Sequence, residues 1–177
     1  MVGDAALSSS GMNAVIPPQE RLRNALAEAG PRLEAMTDAD AARPLADGKW
    51  SAKQVIGHLI DSASNNHQRF VRANFTDELI FPGYDQERWV TLGRYGDAPW
   101  PSLLTLWREL NLQIARVMEA TPDEVKNLLR PRHNLHQLAW RAVPEDQPAT
   151  LGYFMGDYVD HLEHHLRQIL GHDAPKV

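Results

Sequence analysis

The sequence predicts an all-α protein, a four-helix bundle with two long connections. Four segments repeat apolar residues at spacings of three and four, which is the period of an amphipathic helix. The segments between them are rich in proline and glycine, and no alternating pair of segments indicates a β-hairpin. A chain of 177 residues, 43% of them hydrophobic, fits one domain with a buried core. We therefore predict a single bundle domain at residues 18–171, flanked by tails at 1–17 and 172–177.

The four long helices are predicted at about residues 18–36, 52–75, 101–120 and 150–171. The second has the clearest start, because Ser51 and Gln54 have the spacing of a capping box. The first long connection contains a candidate short helix at residues 85–92. After the third long helix, Thr121 is the predicted cap of a further short helix that ends near Leu129.

Charge and composition exclude several classes of protein. The net charge is −5, and the basic residues are scattered rather than clustered, which argues against nucleic-acid binding. No apolar run approaches the roughly 20 residues of a membrane span, so we expect no membrane partner and a cytoplasmic location. The chain has no cysteine. Any metal ion must therefore be held by histidine or carboxylate side chains.

The fourth long helix carries a candidate pair of metal ligands. His161 and His165 lie one turn apart at the edge of the apolar face, a spacing at which two imidazoles can bind one ion. His164 points to the other side of this edge. The alternative is a structural pair whose rings pack on Tyr158 or Phe154 without any metal.

His58, in the second long helix, is the best candidate for a third ligand. Its face also carries Asp61, Ser62, Asn65 and Arg69. Periodicity by itself places this polar face in solvent. The alternative is that the face lines a cleft between helices.

Other histidines and motifs give weaker signals. His67 lies on the opposite side of its helix from His58. His133 and His136 are expected in a solvated loop. The HLEHH segment is not the HExxH motif of metalloproteases, and Glu-x-x-His, nucleophile-elbow and phosphate-loop motifs are absent from the sequence.

Three segments together resemble the DinB/YfiT-like metalloenzymes. Residues 50–62 (WSAKQVIGHLIDS) are similar to that family's WSxxQVxxHxxDS motif. Residues 82–89 (PGYDQERW) resemble its PxYDxxxW stretch, with Gly83 between Pro82 and Tyr84 as a small departure. Residues 158–169 (YVDHLEHHLRQI) resemble its YxxHxxxHxxxI helix. Together with the intervening sequence, the resemblance covers residues 18–171.

The resemblance implies an up-down-down-up bundle, often a homodimer, with one divalent ion held by His58, His161 and His165. Three imidazoles suit zinc or nickel, with iron or cobalt as alternatives. Some members of the family are thiol S-transferases or isomerases that use low-molecular-weight thiols. Because this chain has no cysteine, a thiol nucleophile would have to be a cosubstrate.

Two functional hypotheses follow. The first is a metal-dependent thiol S-transferase or hydrolase that acts on small electrophiles, with Asp61, Asn65 and Tyr84 as candidate catalytic residues and Ser62 and Asp85 as further polar candidates. The second is a non-catalytic metal-binding or dimeric ligand-binding bundle. A pocket that opens onto the metal would favour the first hypothesis, and a site closed by a fourth protein ligand would favour the second.

Overall fold

A computed structural model describes residues 16–171, and the predicted tails lie outside this range except for residues 16 and 17. The helices of the described part are α1 (Pro18–Glu34), α2 (Asp38–Ala42), α3 (Ala52–Ala73), α4 (Gln86–Gly93), a 3₁₀-helix (Tyr95–Asp97), α5 (Trp100–Ala120), α6 (Asp123–Asn127), α7 (Leu135–Leu138) and α8 (Leu151–Leu170). Across these residues the backbone forms isolated bridges but no strand. The prediction of an all-α fold is confirmed.

The first and last long helices, α1 and α8, run parallel. Arg21, in the first turns of α1, binds Asp160 in the middle of α8 at 2.7 Å. Arg32, in the last turn of α1, donates to the carbonyl of Leu170 at the end of α8 at 2.8 Å. Because contacts advance in the same direction along both helices, α1 and α8 point the same way.

Helix α3 runs antiparallel to α8. His58 near the start of α3 contacts His161 in the second half of α8, whereas Phe70 near its end packs against Phe154 at the start of α8. The ring centroids of these two phenylalanines are 5.6 Å apart. This arrangement brings the start of α3 to the end of α8.

Helix α5 runs parallel to α3. Lys53, in the first turn of α3, donates to the carbonyl of Ala98 just before α5 at 2.8 Å. Asn74, which follows α3, donates to the hydroxyl of Thr121, which follows α5, at 3.3 Å. The directions of the four long helices are therefore up, down, down and up, as predicted.

The core lies between the four long helices and includes two buried tryptophans, Trp100 and Trp107. Trp100 is buried at the start of α5, and its indole N–H donates to the carbonyl of Leu33 at 2.9 Å. The buried hydroxyl of Tyr158 donates to Asn111 at 2.6 Å. Other large buried side chains are Trp107, Phe70, Phe154, Leu22, Leu33, Ile56, Leu59, Ile114 and Met118. Among the described residues, no helix combines the length and apolar character needed to cross a membrane.

The two long connections pair with each other over one side of the bundle. The backbone N–H of Leu79 donates to Arg132, and that of Asn134 donates to Leu79. The Asn134 side chain also exchanges two hydrogen bonds with the backbone of Phe81. This pairing joins residues 79–81 of the first connection to residues 132–134 of the second.

Two local expectations are wrong. Thr121 does not cap α6: its hydroxyl donates to the carbonyl of Val117 at 2.8 Å and so closes α5, while the cap of α6 is Pro122. His133 is not solvated, because its side chain is only 5% exposed. Its Nε2 lies 2.6 Å from the Gln147 carbonyl, and its Nδ1 accepts from the backbone of Leu135. His133 therefore holds the second connection together.

Candidate metal centre

Three histidines from two helices converge on one point. Nε2 of His161 lies 3.2 Å from Nε2 of His58 and 3.1 Å from Nε2 of His165. The ligand atoms of the three residues all lie within 4.8 Å of one another. Within residues 16–171, no fourth histidine or carboxylate joins this group. We call these three residues the histidine cluster.

The positions of the two α8 histidines follow from helix geometry. Residues four apart lie on one face, so His161 and His165 present their rings side by side, with centroids 4.5 Å apart. Thr150 fixes the start of this helix by accepting from the N–H of Tyr153 at 3.0 Å. The ring of His164 instead packs on Trp140, at a centroid distance of 4.6 Å, and stays outside the cluster.

His58 is buried, with 2% of its surface exposed, because its face of α3 lines a cleft. The capping box formed by Ser51 and Gln54 fixes the start of α3, and His58 follows in the second turn. Trp50, just before this cap, packs its ring 5.5 Å from that of His58. Of the two alternatives left open by periodicity, the structure shows the cleft.

The donor set of the cluster fits a divalent ion. Bonds of about 2.0–2.1 Å from a tetrahedral zinc ion to nitrogen place two ligand nitrogens roughly 3.3 Å apart. The observed separations of 3.1 and 3.2 Å are close to this value. Three Nε2 atoms facing one another cannot all be satisfied by hydrogen bonds among themselves, because each neutral ring has one N–H. A shared cation would satisfy all three lone pairs.

Burial keeps the cluster in the protonation state that binds metal. Burial, with repulsion from His165 and His58, lowers the pKa of His161 to about 2. Burial also lowers the pKa of His58 to about 4 and lowers the pKa of His165. All three imidazoles are therefore neutral at pH 7, which is the form that coordinates a cation.

One of the three rings is oriented by a neighbouring side chain. Nδ1 of His165 lies 2.8 Å from the side-chain oxygen of Gln168, one turn further along α8. Because an amide oxygen only accepts, His165 carries its proton on Nδ1 and leaves its Nε2 lone pair facing the cluster. Nδ1 of His58, in contrast, is buried without a hydrogen-bond partner among the described residues.

A cavity of about 290 Å³ opens onto the cluster. Its wall includes His58 and His161 together with side chains of α3, α8 and both long connections, among them Ser62, Asn66, Arg69, Tyr84, Trp140, Phe154 and Asp157. This volume lies near the lower limit of ordinary small-molecule sites. The arrangement can therefore bring a small molecule to two of the three histidines.

Of the three candidate catalytic residues, one lines the cavity and two do not. Tyr84 lines the cavity, and burial raises the pKa of its phenol. Asp61 and Asn65 do not line it. The Asp61 carboxylate accepts from the hydroxyl of Tyr95 at 2.5 Å, and Asn65 donates to the backbone carbonyl of Asp61 at 2.9 Å.

The two further polar candidates also differ in position. Ser62 lines the cavity. Asp85 caps α4 by accepting from the N–H of Arg88 at 3.1 Å. Among the five polar candidates, Tyr84 and Ser62 are thus the two that can touch a bound molecule.

Sequence inspection missed the role of Trp140 in the second connection. Its ring centroid lies 5.5 Å from that of His161, and its backbone N–H donates to Asp157 at 2.7 Å. The N–H of Arg141 donates to the other oxygen of Asp157, also at 2.7 Å. Two weak signals were present in the sequence: an aromatic residue in the second connection, Trp140, and an acidic residue one turn before His161, Asp157.

Comparison with known sequences identifies a family over most of the chain. The sequence model of the DinB superfamily matches residues 20–169. In Bacillus subtilis (strain 168), the protein named "Putative metal-dependent hydrolase YfiT" is 29% identical over 139 residues, which are 77% of this chain and 71% of that protein. The similarly named protein OB0782 of Oceanobacillus iheyensis is 29% identical over 122 residues, covering 69% of this chain and 64% of that protein.

Two solved structures share the fold. The structure of YfiT from Bacillus subtilis, described as having an unusual four-helix bundle topology, matches with a TM-score of 0.68 and 24% identity, covering 96% of this chain and 89% of that one. The mycothiol-dependent maleylpyruvate isomerase matches with a TM-score of 0.64 and 15% identity, covering 90% of this chain and 65% of that one. At these identities the two structures support the fold of the bundle.

Proposed function

The chain belongs to the DinB superfamily, and on that premise we propose that it is a divalent-metal-dependent enzyme acting on small electrophiles. His58, His161 and His165 are the proposed ligands. The single observation that carries this proposal is the open side of the cluster: the cavity reaches His58 and His161, and no fourth protein ligand closes the group among the described residues. An open position beside three protein ligands is typical of catalytic rather than structural sites.

The residues around the cavity supply binding and orientation. A bound divalent ion would act as a Lewis acid and would favour the deprotonated form of a water or thiol ligand. Ser62 and Tyr84 present hydroxyl groups to a substrate. Trp50 packs on His58, and Trp140 packs on His161, so each indole restricts access of water to one histidine of the cluster.

We propose a low-molecular-weight thiol as the nucleophile, as a thiol S-transferase would use. The chain has no cysteine that could compete for the ion or for the electrophile. The fold is shared with an enzyme named for its dependence on mycothiol, which supports a thiol cosubstrate without identifying one. Zinc or nickel is the proposed metal, with iron or cobalt as alternatives.

Hydrolysis is the second candidate, and the names of the relatives in Bacillus subtilis and Oceanobacillus iheyensis favour it. In this case water replaces the thiol as the nucleophile, and the same residues bind the substrate. The two reactions differ in one observable: hydrolysis proceeds without added thiol, whereas transfer requires it.

The test begins with the metal content of protein purified without a metal-affinity tag. Protein loaded with the metal found is then assayed against a panel of haloalkanes, epoxides and activated esters, with and without a small thiol such as cysteine or glutathione. We expect one ion per chain and a thiol-dependent rate that His58→Ala removes. His67→Ala is the matched control, because His67 lies outside the cluster and the cavity.

The alternative of a non-catalytic bundle makes a distinct prediction. If protein with one ion per chain accelerates neither reaction across the panel, and His58→Ala changes only the metal content, the proposed enzymatic function is wrong. Homodimerisation and a cytoplasmic location stay predictions. Light scattering during size-exclusion chromatography would test the first, and fractionation of the source cells would test the second.

A further inference from the structure

A buried arginine lies in the wall of the cavity. Arg69, on α3, is only 5% exposed. One terminal nitrogen donates to the Asn66 side chain at 3.3 Å, and the other donates to the carbonyl of Pro82 at 2.7 Å. Among the described residues no carboxylate forms an ion pair with it. A buried guanidinium without a counter-ion is costly.

Arg69 has donors to spare for a ligand. A guanidinium carries five N–H groups in a planar fork, and two neutral acceptors account for only two of them. The ring of Tyr84 lies 6.0 Å from the guanidinium carbon and covers it from one side. Burial lowers the pKa of Arg69, but arginine stays protonated in proteins, so the positive charge remains.

The other full charge in the cavity wall is already bound. Asp157 accepts from the backbone N–H groups of Trp140 and Arg141, each at 2.7 Å, through different oxygens. Burial raises the pKa of this carboxyl, and these two N–H groups counteract the increase. Asp157 therefore holds the second connection in place and does not pair with Arg69. The positive charge of Arg69 is therefore available to an anionic group of a ligand.

Arg69 and two members of the histidine cluster line the same cavity from different positions. His58 and Arg69 are eleven residues apart on α3, which is about 16 Å along the helix axis. The arginine side chain reaches back toward the cluster, as its bond to Asn66 shows. A molecule in the cavity can thus face His58 with one end and Arg69 with the other.

We propose that the substrate is a small electrophile that carries a carboxylate, and that Arg69 binds this carboxylate while the reactive group lies at the histidine cluster. Arginine is suited to this task because its fork matches a carboxylate with two parallel hydrogen bonds. This inference rests on the proposed function for the identity of the reactive end. The carboxylate-binding step itself is a property of the cavity and is measurable without turnover.

The test uses two probes of the same shape, benzoate and its neutral analogue benzamide. Isothermal titration calorimetry compares their affinities for zinc-loaded protein and for protein treated with a chelator. We expect benzoate to bind at least about tenfold more tightly than benzamide in both preparations, since hydrogen bonds between two charged groups are stronger than those to a neutral amide. The chelator arm matters because a carboxylate could also bind the zinc ion directly.

Arg69→Gln should remove this preference for benzoate, and Arg69→Lys should keep part of it because the charge is retained. Arg130→Gln is the matched control: Arg130 is also buried and donates to a backbone carbonyl, that of Ala73, but it does not line the cavity. Circular dichroism of each variant checks that it folds, and Arg69→Lys remains informative if Arg69→Gln does not.

Three outcomes would overturn the inference: no preference for benzoate in the unmodified protein, a preference that survives in folded Arg69→Gln, or a preference present only with zinc. The last would mean that the ion, not Arg69, binds the carboxylate. Failure of the proposed function has a different signature, because protein without stoichiometric metal or turnover can still show the preference for benzoate and its loss in Arg69→Gln.

Discussion

His161 occupies the middle of the histidine cluster, with Nε2 contacts to both His58 and His165. Nδ1 of His165 is hydrogen-bonded to Gln168, on the side of the ring away from the cluster, and the ring of His58 packs on Trp50. The cluster thus joins rings that are already restrained by their neighbours. Restrained ligands lose little conformational entropy when an ion binds, which favours tight binding.

We expect His58→Ala, His161→Ala and His165→Ala each to abolish stoichiometric binding of a divalent ion, because two imidazoles alone leave the ion half coordinated. Elemental analysis after dialysis measures the metal content. His164→Ala and His67→Ala should retain about one ion per chain, since neither ring belongs to the cluster. Stoichiometric metal in folded His165→Ala would contradict the assignment.

The sequence predicted some residues of the site and missed others for identifiable reasons. His161 and His165 follow from the spacing of a single helix. Periodicity could not decide whether His58 is a ligand, because a polar face that lines a cleft has the same pattern as one in solvent. The family resemblance favoured His58 as a ligand. Trp140 comes from an irregular connection, whose position depends on tertiary contacts that no local pattern encodes.

Among the helices, α3 carries a glycine next to His58 because the ring of Tyr95 lies against the backbone there. A Cβ at Gly57 would overlap that ring. The Tyr95 hydroxyl in turn donates to Asp61, one turn further along α3. The short 3₁₀-helix that holds Tyr95 is thus docked on α3 through a site that only glycine fits.

We expect Gly57→Ala to lower the free energy of unfolding. Overpacking costs about 1–3 kcal/mol, which exceeds the gain of at most about 1 kcal/mol from the higher helix propensity of alanine. Gly156→Ala in α8 is the matched control, since a Cβ there meets nothing within 4 Å, and it should be neutral or stabilising. Urea denaturation of both variants measures the difference. Equal effects of the two substitutions would contradict the packing of Tyr95 described here.

The ion pair between α2 and α3 makes a prediction about pH. Lys53 is buried, 3% exposed, and its ammonium lies 2.9 Å from the Asp38 carboxylate. The hydrogen bond from Lys53, followed by that from the backbone of Trp100, lowers the pKa of Asp38. A carboxyl whose pKa is lowered by folding stabilises the protein above its unfolded pKa of about 3.9, and this contribution is lost as pH falls through the folded pKa.

Asp38→Asn should therefore be less stable than the unmodified protein at pH 7, and the difference should shrink as the pH is lowered below about 4. Thermal melts of both proteins across this range measure it. Asp97→Asn is a suitable control, because Asp97 pairs with the exposed Arg94 and such surface pairs contribute little. A difference between the two proteins that stays constant with pH would argue against the ion pair.

Long helices were predictable from sequence because each buries one face, and burial imposes a period of 3.6 residues. The connections were not, since their structure arises from pairing between residues far apart in the chain. Leu79 and Asn134 illustrate this: a backbone hydrogen bond joins them across 55 positions of sequence. Thr121 shows a second limit. Its hydroxyl could cap the start of α6 or bond to the end of α5, and it donates to the Val117 carbonyl of α5.

At the scale of the whole molecule, the up-down-down-up order decides which helix ends meet. The start of α3 lies against the second half of α8 because the two helices are antiparallel, and this brings together histidines 103 positions apart. Arg21 in the parallel helix α1 binds both Asp160 and Glu163, which flank His161 on α8. Three of the four long helices thus contribute to the position of the cluster.

Because the cluster links α3 to α8, metal binding should stabilise the whole bundle. A ligand that binds the folded state alone adds about 4.1 kcal/mol at a free concentration a thousand times its dissociation constant. For a chain of this size that corresponds to a rise in Tm of about 8 °C or more. Differential scanning calorimetry with zinc and then with excess chelator measures the shift.

The shift should vanish in His58→Ala, which removes the α3 ligand, and persist in His67→Ala on the same helix. If instead the Tm of the unmodified protein is the same with zinc and with chelator, the cluster does not bind zinc as a link between the two helices, and the burial of His58 would serve packing alone.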